Sequence, residues 1–445
     1  MWLLIVLILC IIFIIFSSTK LRLHAFLALL FAALGFGIFS GMPLKLITES
    51  ISTGFGNTLG YIGIVIVAGT IIGVFLENSG GAYTLADRIL RIIGEKHVPL
   101  AMAIIGWFVS IPVFADSGFV ILSPLNKALS KRAKISLAGP AIALSLGLIS
   151  THCLVPPTPG PIAAAGIIGA NLGLVILFGV AASIFALFFG WLFSIKIASK
   201  VSIDPNPEIS EEEITAKMKE SPSALWALTP IFLPIILIVL KSISDFPTNP
   251  LGEGVIKSIL GFIGEPVIAL LIGVLLAFLL PKKREKGIFS ETGWVGKAML
   301  SAATIILITG AGGAFGKVLQ NSGLADTIGK GMADVNLGMW LPFIIAVVIK
   351  TAQGSSTVAL ITTASIITPL MPALGFTTET AKALMVLTIG AGAMVVSHAN
   401  DSFFWVVTQM SHMDVKTGYK LQSAGTLVLG LSAATALWIM NLIFN

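Results

Sequence analysis

Three short motifs occur twice in this chain, in the same order and at nearly the same spacing. The first set is FLENSG, FADSGFVILSPL and ISTHCLVPPTPGP, and the second is VLQNSG, AQGSSTVALITTASIITPL and VVSHANDSFFW. The spacing between equivalent residues is 243, 245 and 246 positions for the pairs Asn78–Asn321, Pro124–Pro369 and His152–His398. One short match could arise by chance, but three in register indicate a duplicated unit.

The composition places this duplicated unit in a membrane. Hydrophobic residues make up 56% of the chain, charged residues only 11%, and the mean hydropathy is +1.00. Several apolar runs are long enough to approach or exceed a bilayer crossing, namely Leu3–Phe16, Leu174–Ile195, Leu225–Leu240 and Val255–Leu280. We therefore expect an all-α polytopic membrane protein in contact with lipid, with no soluble catalytic domain.

Charge placement indicates the orientation of the chain. If the loop that carries Lys20 and Arg22 faces the cytoplasm, most of the 27 basic residues fall on the cytoplasmic side, as the positive-inside rule requires. The basic pI is thus a topology signal, and no nucleic-acid partner is expected. Both termini are predicted to be periplasmic. Cys10 and Cys153 lie in unrelated segments, so neither a disulfide nor a thiolate metal site is expected, and no cofactor is implied.

The same assignment predicts two repeats, residues 1–195 and 222–445, joined by a charged cytoplasmic linker at 196–221. Each repeat has five crossings and one re-entrant helical hairpin, at about 98–130 and about 338–372. The predicted crossings are 2–18, 22–40, 59–78, 134–170, 173–195, 222–241, 255–280, 298–319, 380–410 and 421–443, with those at 134–170 and 380–410 interrupted. Because each repeat has an odd number of crossings, the second copy is inverted relative to the first.

Both hairpins contain a polar break in an apolar segment. The first break, IPVFADSGF, contains Pro112, Asp116 and Gly118, and the second is TAQGSST at 351–357. Half-helices this short cannot cross about 30 Å of hydrocarbon, and broken backbone at that depth requires a protein or aqueous environment. A helix start there would offer N–H groups to a carboxylate. The alternative is a pair of kinked helices whose hydroxyls bond back to carbonyls.

The third motif interrupts a predicted crossing in each repeat. Four prolines between 156 and 161 prevent a continuous helix in the first copy. The second copy instead concentrates polar side chains in an apolar segment, namely Ser397, His398, Asn400, Asp401 and Ser402. Such groups suit a hydroxyl, an ion or a proton, although a structural hydrogen bond explains either histidine equally well.

These stretches, together with GNTLGYIGIVIVAGTIIGVFLENSGGA at 56–82, resemble the GntP family of bacterial proton symporters for gluconate and related small hydroxy acids. The resemblance covers the whole chain. It implies an inner-membrane homodimer with a scaffold domain and an elevator-type transport domain. It also implies that the hairpin tips and broken crossings hold the substrate, at Asp116, Ser117, Gly118, Thr151, His152, Pro157, Thr158, Gln353, Gly354, Ser355, Ser356, Thr357, His398, Asn400 and Asp401.

Charged residues inside the membrane need a partner or a function, because each costs about 2.5–3.5 kcal/mol at mid-bilayer on insertion scales. Asp116 or Asp401, together with His152 or His398, is expected to carry the coupled proton. Lys350 is expected to pair with an anionic substrate, or alternatively to extend towards a helix end.

Two other functions are compatible with parts of the pattern. A sodium-coupled carboxylate transporter of similar fold would also use hydroxyls and carbonyls at hairpin tips, and a D-serine-type amino acid permease would share the fold. An intramembrane hydrolase is disfavoured, since the chain has no H-E-x-x-H zinc motif and no strand–turn–helix context for a nucleophilic serine. We therefore expect a transporter and not an enzyme.

Overall fold

A computed structural model describes residues 2–94, 97–205, 219–244, 254–282, 287–324, 338–399 and 401–444. Within these ranges the regular secondary structure is entirely helical. The first part of the chain contains α1 Trp2–Thr19, α2 Ala25–Phe39, α3 Leu44–Asn78, α4 Gly81–Ile93, α5 Val98–Val109, α6 Ala115–Arg132, α7 Ala138–Leu154, α8 Pro159–Ile168 and α9 Leu172–Lys196. The second contains α10 Ala224–Ser244, α11 Val255–Ile263, α12 Pro266–Ala277, α13 Trp294–Asn321, α14 Trp340–Gln353, α15 Ser356–Ile367, α16 Glu379–Ala393, α17 Ser402–Met410 and α18 Val415–Phe444.

Apolar segments become helices because a helix satisfies its own backbone hydrogen bonds where no water is present. Among the described residues, five helical spans are long and apolar enough to cross a membrane by length and composition, counting α7 with α8 as one. The number is seven if α3 and the bent pair α11–α12 are each counted as a span. Every predicted crossing overlaps a helix, but the number that cross the bilayer stays a prediction.

Three details differ from the predicted crossings. The helix predicted at 59–78 begins at Leu44, because polar residues before 59 continue it, with Lys45 and Glu49 forming an i,i+4 pair at 3.8 Å. The crossing predicted at 255–280 is bent by 66° between α11 and α12, where proline at the first position of α12 starts a new helix. The amphipathic helix α4 was not predicted. Half of the charged linker, 206–218, lies outside the described residues.

The packing divides most helices into two groups. In the first group, α3 packs along α13, and the same group includes α1, α2, α10 and α12. The two long helices approach closely, since a Cβ built on Gly54 would lie 2.5 Å from the Gly313 carbonyl oxygen. In the second group, α7 packs against α5 and α9, and α16 packs against α14 and α18. Helix α8 contacts both α3 and α15, so it lies where the groups meet.

Candidate functional site

Both predicted hairpins are broken where the sequence indicates. Between α5 and α6, Ser110 to Phe114 are non-helical, and Asp116 lies in the first turn of α6. Between α14 and α15, Gly354 has a φ of 83° and ends α14, a conformation that glycine adopts without a steric penalty. The Ser355 hydroxyl then accepts a hydrogen bond from Val358 N at 3.3 Å and caps α15. These breaks place two helix N-termini inside the protein.

The two predicted interrupted crossings are also broken. The first stops at Leu154, passes through the proline run and restarts at Pro159. The second stops at Ala393 and restarts at Ser402, where the Asp401 carboxylate accepts from Phe403 N at 3.0 Å. This N-cap satisfies a donor of α17 that has no partner in the helix.

All four broken elements contribute to one cavity of about 270 Å³. Its walls come from the first hairpin, the end of α7, the second hairpin and the start of α17. They consist of Phe114, Ala115, Asp116, Ile149, His152, Gln353, Gly354, Ser355, Ser356, Thr357, Asp401, Ser402 and Phe403. Residues far apart in sequence, from both copies of the duplicated pattern, therefore face the same space.

Eight of the residues selected from the sequence line this cavity, namely Asp116, His152, Gln353, Gly354, Ser355, Ser356, Thr357 and Asp401. Seven others do not, namely Ser117, Gly118, Thr151, Pro157, Thr158, Lys350 and His398. Asn400 lies outside the described residues. The binding roles assigned to all of these residues stay predictions.

The residues away from the cavity have other contacts. The Thr151 hydroxyl donates to the Trp107 carbonyl at 2.9 Å, and the Thr158 hydroxyl donates to the Val155 carbonyl at 2.8 Å. His398 Nε2 lies 2.8 Å from the Thr351 carbonyl oxygen. A Cβ built on Gly118 would lie 2.7 Å from a methyl group of Leu148, and one on Gly69 would lie 2.7 Å from the Pro157 carbonyl oxygen. The Thr151 hydrogen bond joins α7 to α5, whereas the Thr158 hydrogen bond lies within the proline run.

A buried ion pair connects the second hairpin to the second broken crossing. Lys350 Nζ lies 2.6 Å from Asp401 Oδ2, with the two side chains 1% and 8% exposed. The same ammonium donates to the Gly354 carbonyl at the hairpin tip, and the Ser397 hydroxyl donates to Asp401 Oδ2 at 2.5 Å. Lys350 therefore neutralises Asp401 and positions the tip of the hairpin.

Asp116 has a different environment from Asp401. Its Oδ1 accepts from the Ser402 hydroxyl at 3.0 Å, but no cationic group of the described residues lies within ion-pair distance of it. The neighbouring Ser117 side chain lies beside the Glu77 carboxylate at the end of α3. Asp116 is thus an acidic group in the cavity without a cation of its own.

Other polar groups at the cavity have unused hydrogen-bonding capacity. Neither Oε1 nor Nε2 of Gln353 has a hydrogen-bond partner among the described residues, and His152 Nδ1 also has none. Buried polar groups are normally paired, and an unpaired one costs about 1–3 kcal/mol. The cavity is therefore suited to a polar ligand that both accepts and donates hydrogen bonds.

Five residues that line the cavity are not among the binding candidates selected from the sequence, namely Phe114, Ala115, Ile149, Ser402 and Phe403. Ser402 belongs to the polar cluster around Asp401, and polar residues in an apolar segment indicate a binding site. Ile149 lies three positions before His152 on α7, on the same helix face. Phe114 gave no signal for binding, since aromatic residues are common in any apolar segment. Phe403 is 2% exposed and packs edge-on against Phe119 at 6.3 Å between ring centroids.

Known proteins resemble the chain over nearly its full length. It matches the GntP family permease over residues 1–443. It is 37% identical to an uncharacterized permease of Haemophilus influenzae, over 97% of this chain and 90% of that protein. It is 33% identical to a gluconate permease of Pseudomonas aeruginosa (96% and 94% covered) and 30% identical to the D-serine transporter DsdX of Escherichia coli (99% of each covered).

A solved structure shares the fold. The crystal structure of the Alcanivorax borkumensis YdaH transporter aligns with a TM-score of 0.62 at 17% identity, over 90% of each chain. At this identity the similarity concerns the fold alone. Together with the family match over residues 1–443, the relatives at 30% identity or more show that this all-helical, multi-pass membrane protein is a transporter that belongs to the GntP permease family.

Proposed function

We propose that the transporter imports gluconate or a related small hydroxy acid together with protons across the bacterial inner membrane, with both termini in the periplasm. The observation that carries this proposal is the cavity at the four breaks, where polar atoms of Gln353 and His152 have no hydrogen-bond partner in the described part of the chain. A polyhydroxylated acid supplies both donors and acceptors for such groups. The relative from Pseudomonas aeruginosa, a gluconate permease, supports this choice of substrate.

The proposed substrate pose follows from the chemistry of the walls. The first backbone N–H groups of α15, at Ser356 and Thr357, suit the carboxylate, because helix N-termini attract anions. Gln353, His152 and Ser402 then take the hydroxyl groups on the opposite part of the ligand. Lys350 is left out of this pose, since its ammonium is paired with Asp401.

For alternating access we propose an elevator-type motion of two inverted repeats within a homodimer. The group of helices around α3 and α13 would form the scaffold. The hairpins, the broken crossings, α9 and α18 would move as the transport domain. The division of the helix packing into two groups supports this assignment, as does the equivalent position of α3 and α13 in the duplicated sequence.

Uptake into proteoliposomes tests the proposed coupling. We expect gluconate to accumulate when the outside is made more acidic than the inside, and we expect a protonophore to abolish the accumulation. Replacement of sodium by choline should leave the uptake unchanged. Accumulation that requires sodium and ignores the proton gradient would instead support the sodium-coupled alternative.

A second candidate substrate is a small amino acid, and one specific observation favours it. The carboxylate of Asp116 lies in the cavity with no cationic group of the described residues within ion-pair distance, and the ammonium group of an amino acid would supply one. The relative DsdX is a D-serine transporter.

The substitution Gln353→Leu tests the cavity directly. Leucine preserves much of the side-chain volume but removes both amide groups that we assign to the ligand hydroxyls. We expect the Kd for gluconate to rise about 5- to 150-fold, as for the loss of 1–3 kcal/mol of hydrogen bonding. Isothermal titration calorimetry of the purified protein measures this change.

Gln409→Leu is the matched control, because Gln409 is an exposed glutamine of α17 that does not line the cavity. Its Kd should match the wild type. Equal affinity in the wild type and both variants would place the substrate elsewhere.

A further inference from the structure

The cavity contains two aspartates, but their charges are balanced differently. Asp401 is neutralised by Lys350 at 2.6 Å, whereas Asp116 accepts from the neutral hydroxyl of Ser402 and has no cation of the described residues within ion-pair distance. The net charge of the cavity walls is therefore determined chiefly by whether Asp116 carries a proton.

Other titratable groups near Asp116 are few. His152 faces the same cavity from α7, and Glu77 reaches the adjacent Ser117 from α3. Helix α4 also packs on α6 and carries Tyr83, Asp87, Arg88 and Arg91, but none of these is close enough to act on Asp116. Helices α5 and α17 contribute no titratable side chain.

We propose that the proton on Asp116 decides which class of substrate the cavity accepts. With Asp116 protonated, the cavity is neutral and takes a hydroxy-acid anion, so each bound anion brings one proton. With Asp116 ionised, the carboxylate repels such an anion but pairs with the ammonium of a zwitterionic amino acid. This inference rests on the proposed function, since it assumes that the cavity binds the substrate.

Binding of two probes across pH tests the inference. In the wild type, gluconate affinity should fall with rising pH, approaching tenfold per pH unit once Asp116 is ionised, because binding is linked to one proton. D-serine affinity should rise over the same range. In Asp116→Asn, gluconate binding should become independent of pH and D-serine binding should be lost. Asp87→Asn on α4 is the control, and it should keep both wild-type profiles.

Each other outcome contradicts the inference in a recognisable way. If Asp116→Asn keeps the pH dependence of gluconate binding, His152 or Glu77 is its source. If the wild type binds gluconate but D-serine at no pH, Asp116 does not select between classes and the proposed function still stands. If neither probe binds at any pH, both the proposed function and this inference are wrong. Asp116→Ser provides a second neutral variant should the asparagine variant unfold.

A different observation concerns the position of each hairpin along the long helix, α3 or α13, against which it packs. Gly69 and Gly73 of α3 correspond to Gly312 and Gly316 of α13, again 243 positions apart. A Cβ on Gly73 would lie 2.3 Å from the carbonyl oxygen of Pro112, in the break of the first hairpin. A Cβ on Gly316 would lie 3.2 Å from that of Ser365, well inside α15.

Equivalent scaffold glycines therefore contact different parts of the two hairpins. Ser365 lies nine residues beyond Ser356, the first residue of α15, which is about 14 Å of helix at 1.5 Å per residue. Because the repeats are similar in sequence, each hairpin can take either of these two positions against its long helix.

We infer that in the other transport state each hairpin takes the position against its long helix that the other hairpin has here. This inference rests on the proposed alternating access. The tip of the second hairpin would move about 14 Å along α13 to reach Gly316. It would arrive beside a separate cavity of about 330 Å³, lined in part by Asn57, Thr58, Lys317 and Gln320. The first hairpin would move away from Gly73 of α3 by the same distance.

Paired cysteines in a background without Cys10 and Cys153 test this exchange. Glu77→Cys with Ser117→Cys should cross-link in the state described here, because these side chains lie beside each other. Gln320→Cys with Val358→Cys should cross-link only in the other state, during turnover with substrate in proteoliposomes. Ser145→Cys with Gln422→Cys joins two residues in contact at 2.8 Å within the moving group and should cross-link throughout.

The exchange is excluded if the Gln320–Val358 pair stays unlinked during turnover while transport proceeds. It is also excluded if a locked Glu77–Ser117 pair leaves uptake unchanged, since the first hairpin would then not need to leave α3.

Discussion

Replacement of Lys350 by methionine is expected to lower the free energy of unfolding by about 3–5 kcal/mol and to abolish uptake. The substitution leaves the Asp401 carboxylate buried without its cation, and it removes the donor that holds the Gly354 carbonyl at the tip of the second hairpin. Thermal or denaturant unfolding in detergent, together with uptake into proteoliposomes, measures both effects.

Two further variants separate the ion pair from a general loss of charge. Lys382→Met removes the same kind of side chain from a more exposed pair with Glu379 on α16, and it should cost less than about 1 kcal/mol. Adding Asp401→Asn to Lys350→Met should restore most of the stability, since asparagine still caps α17 but carries no charge. If Lys350→Met is as stable as Lys382→Met, the buried pair does not hold the hairpin.

The broken elements could be predicted because their residues interrupt a helix for local reasons. Prolines 156–161 remove backbone donors, and Gly354 allows the positive φ that ends α14. Polar side chains such as Asp116 and Gln353 in an apolar segment also indicate a cavity without any knowledge of the fold. Eight of the residues selected from the sequence line one cavity, and their binding roles stay predictions.

The partners of those residues could not be predicted, because hydrogen bonds and ion pairs depend on packing between distant segments. Lys350 was expected to face an anionic substrate, but its ammonium pairs with Asp401, 51 positions away. The hydroxyls of Thr151 and Thr158 look available in the sequence, yet both donate to backbone carbonyls. A sequence shows which donors exist and not where their bonds go.

Gly73→Ala is expected to abolish most of the uptake, because the new Cβ would lie 2.3 Å from the Pro112 carbonyl oxygen. That oxygen belongs to the backbone of the first hairpin's break, so the break must shift away from α3, and overpacking of this kind costs about 1–3 kcal/mol. The shift also displaces Asp116, four residues later, from the cavity. Initial uptake rates and thermal unfolding of the purified variant measure the two effects.

Gly60→Ala provides the matched control on the same helix, since a Cβ there would have no neighbour within 4 Å. Alanine in a helix is favoured over glycine by up to about 1 kcal/mol, so this variant should be at least as stable as the wild type and should transport normally. A similar loss of uptake in both variants would mean that α3 needs its glycines for flexibility. A loss confined to Gly73→Ala would show that the contact between α3 and the first hairpin determines where Asp116 lies.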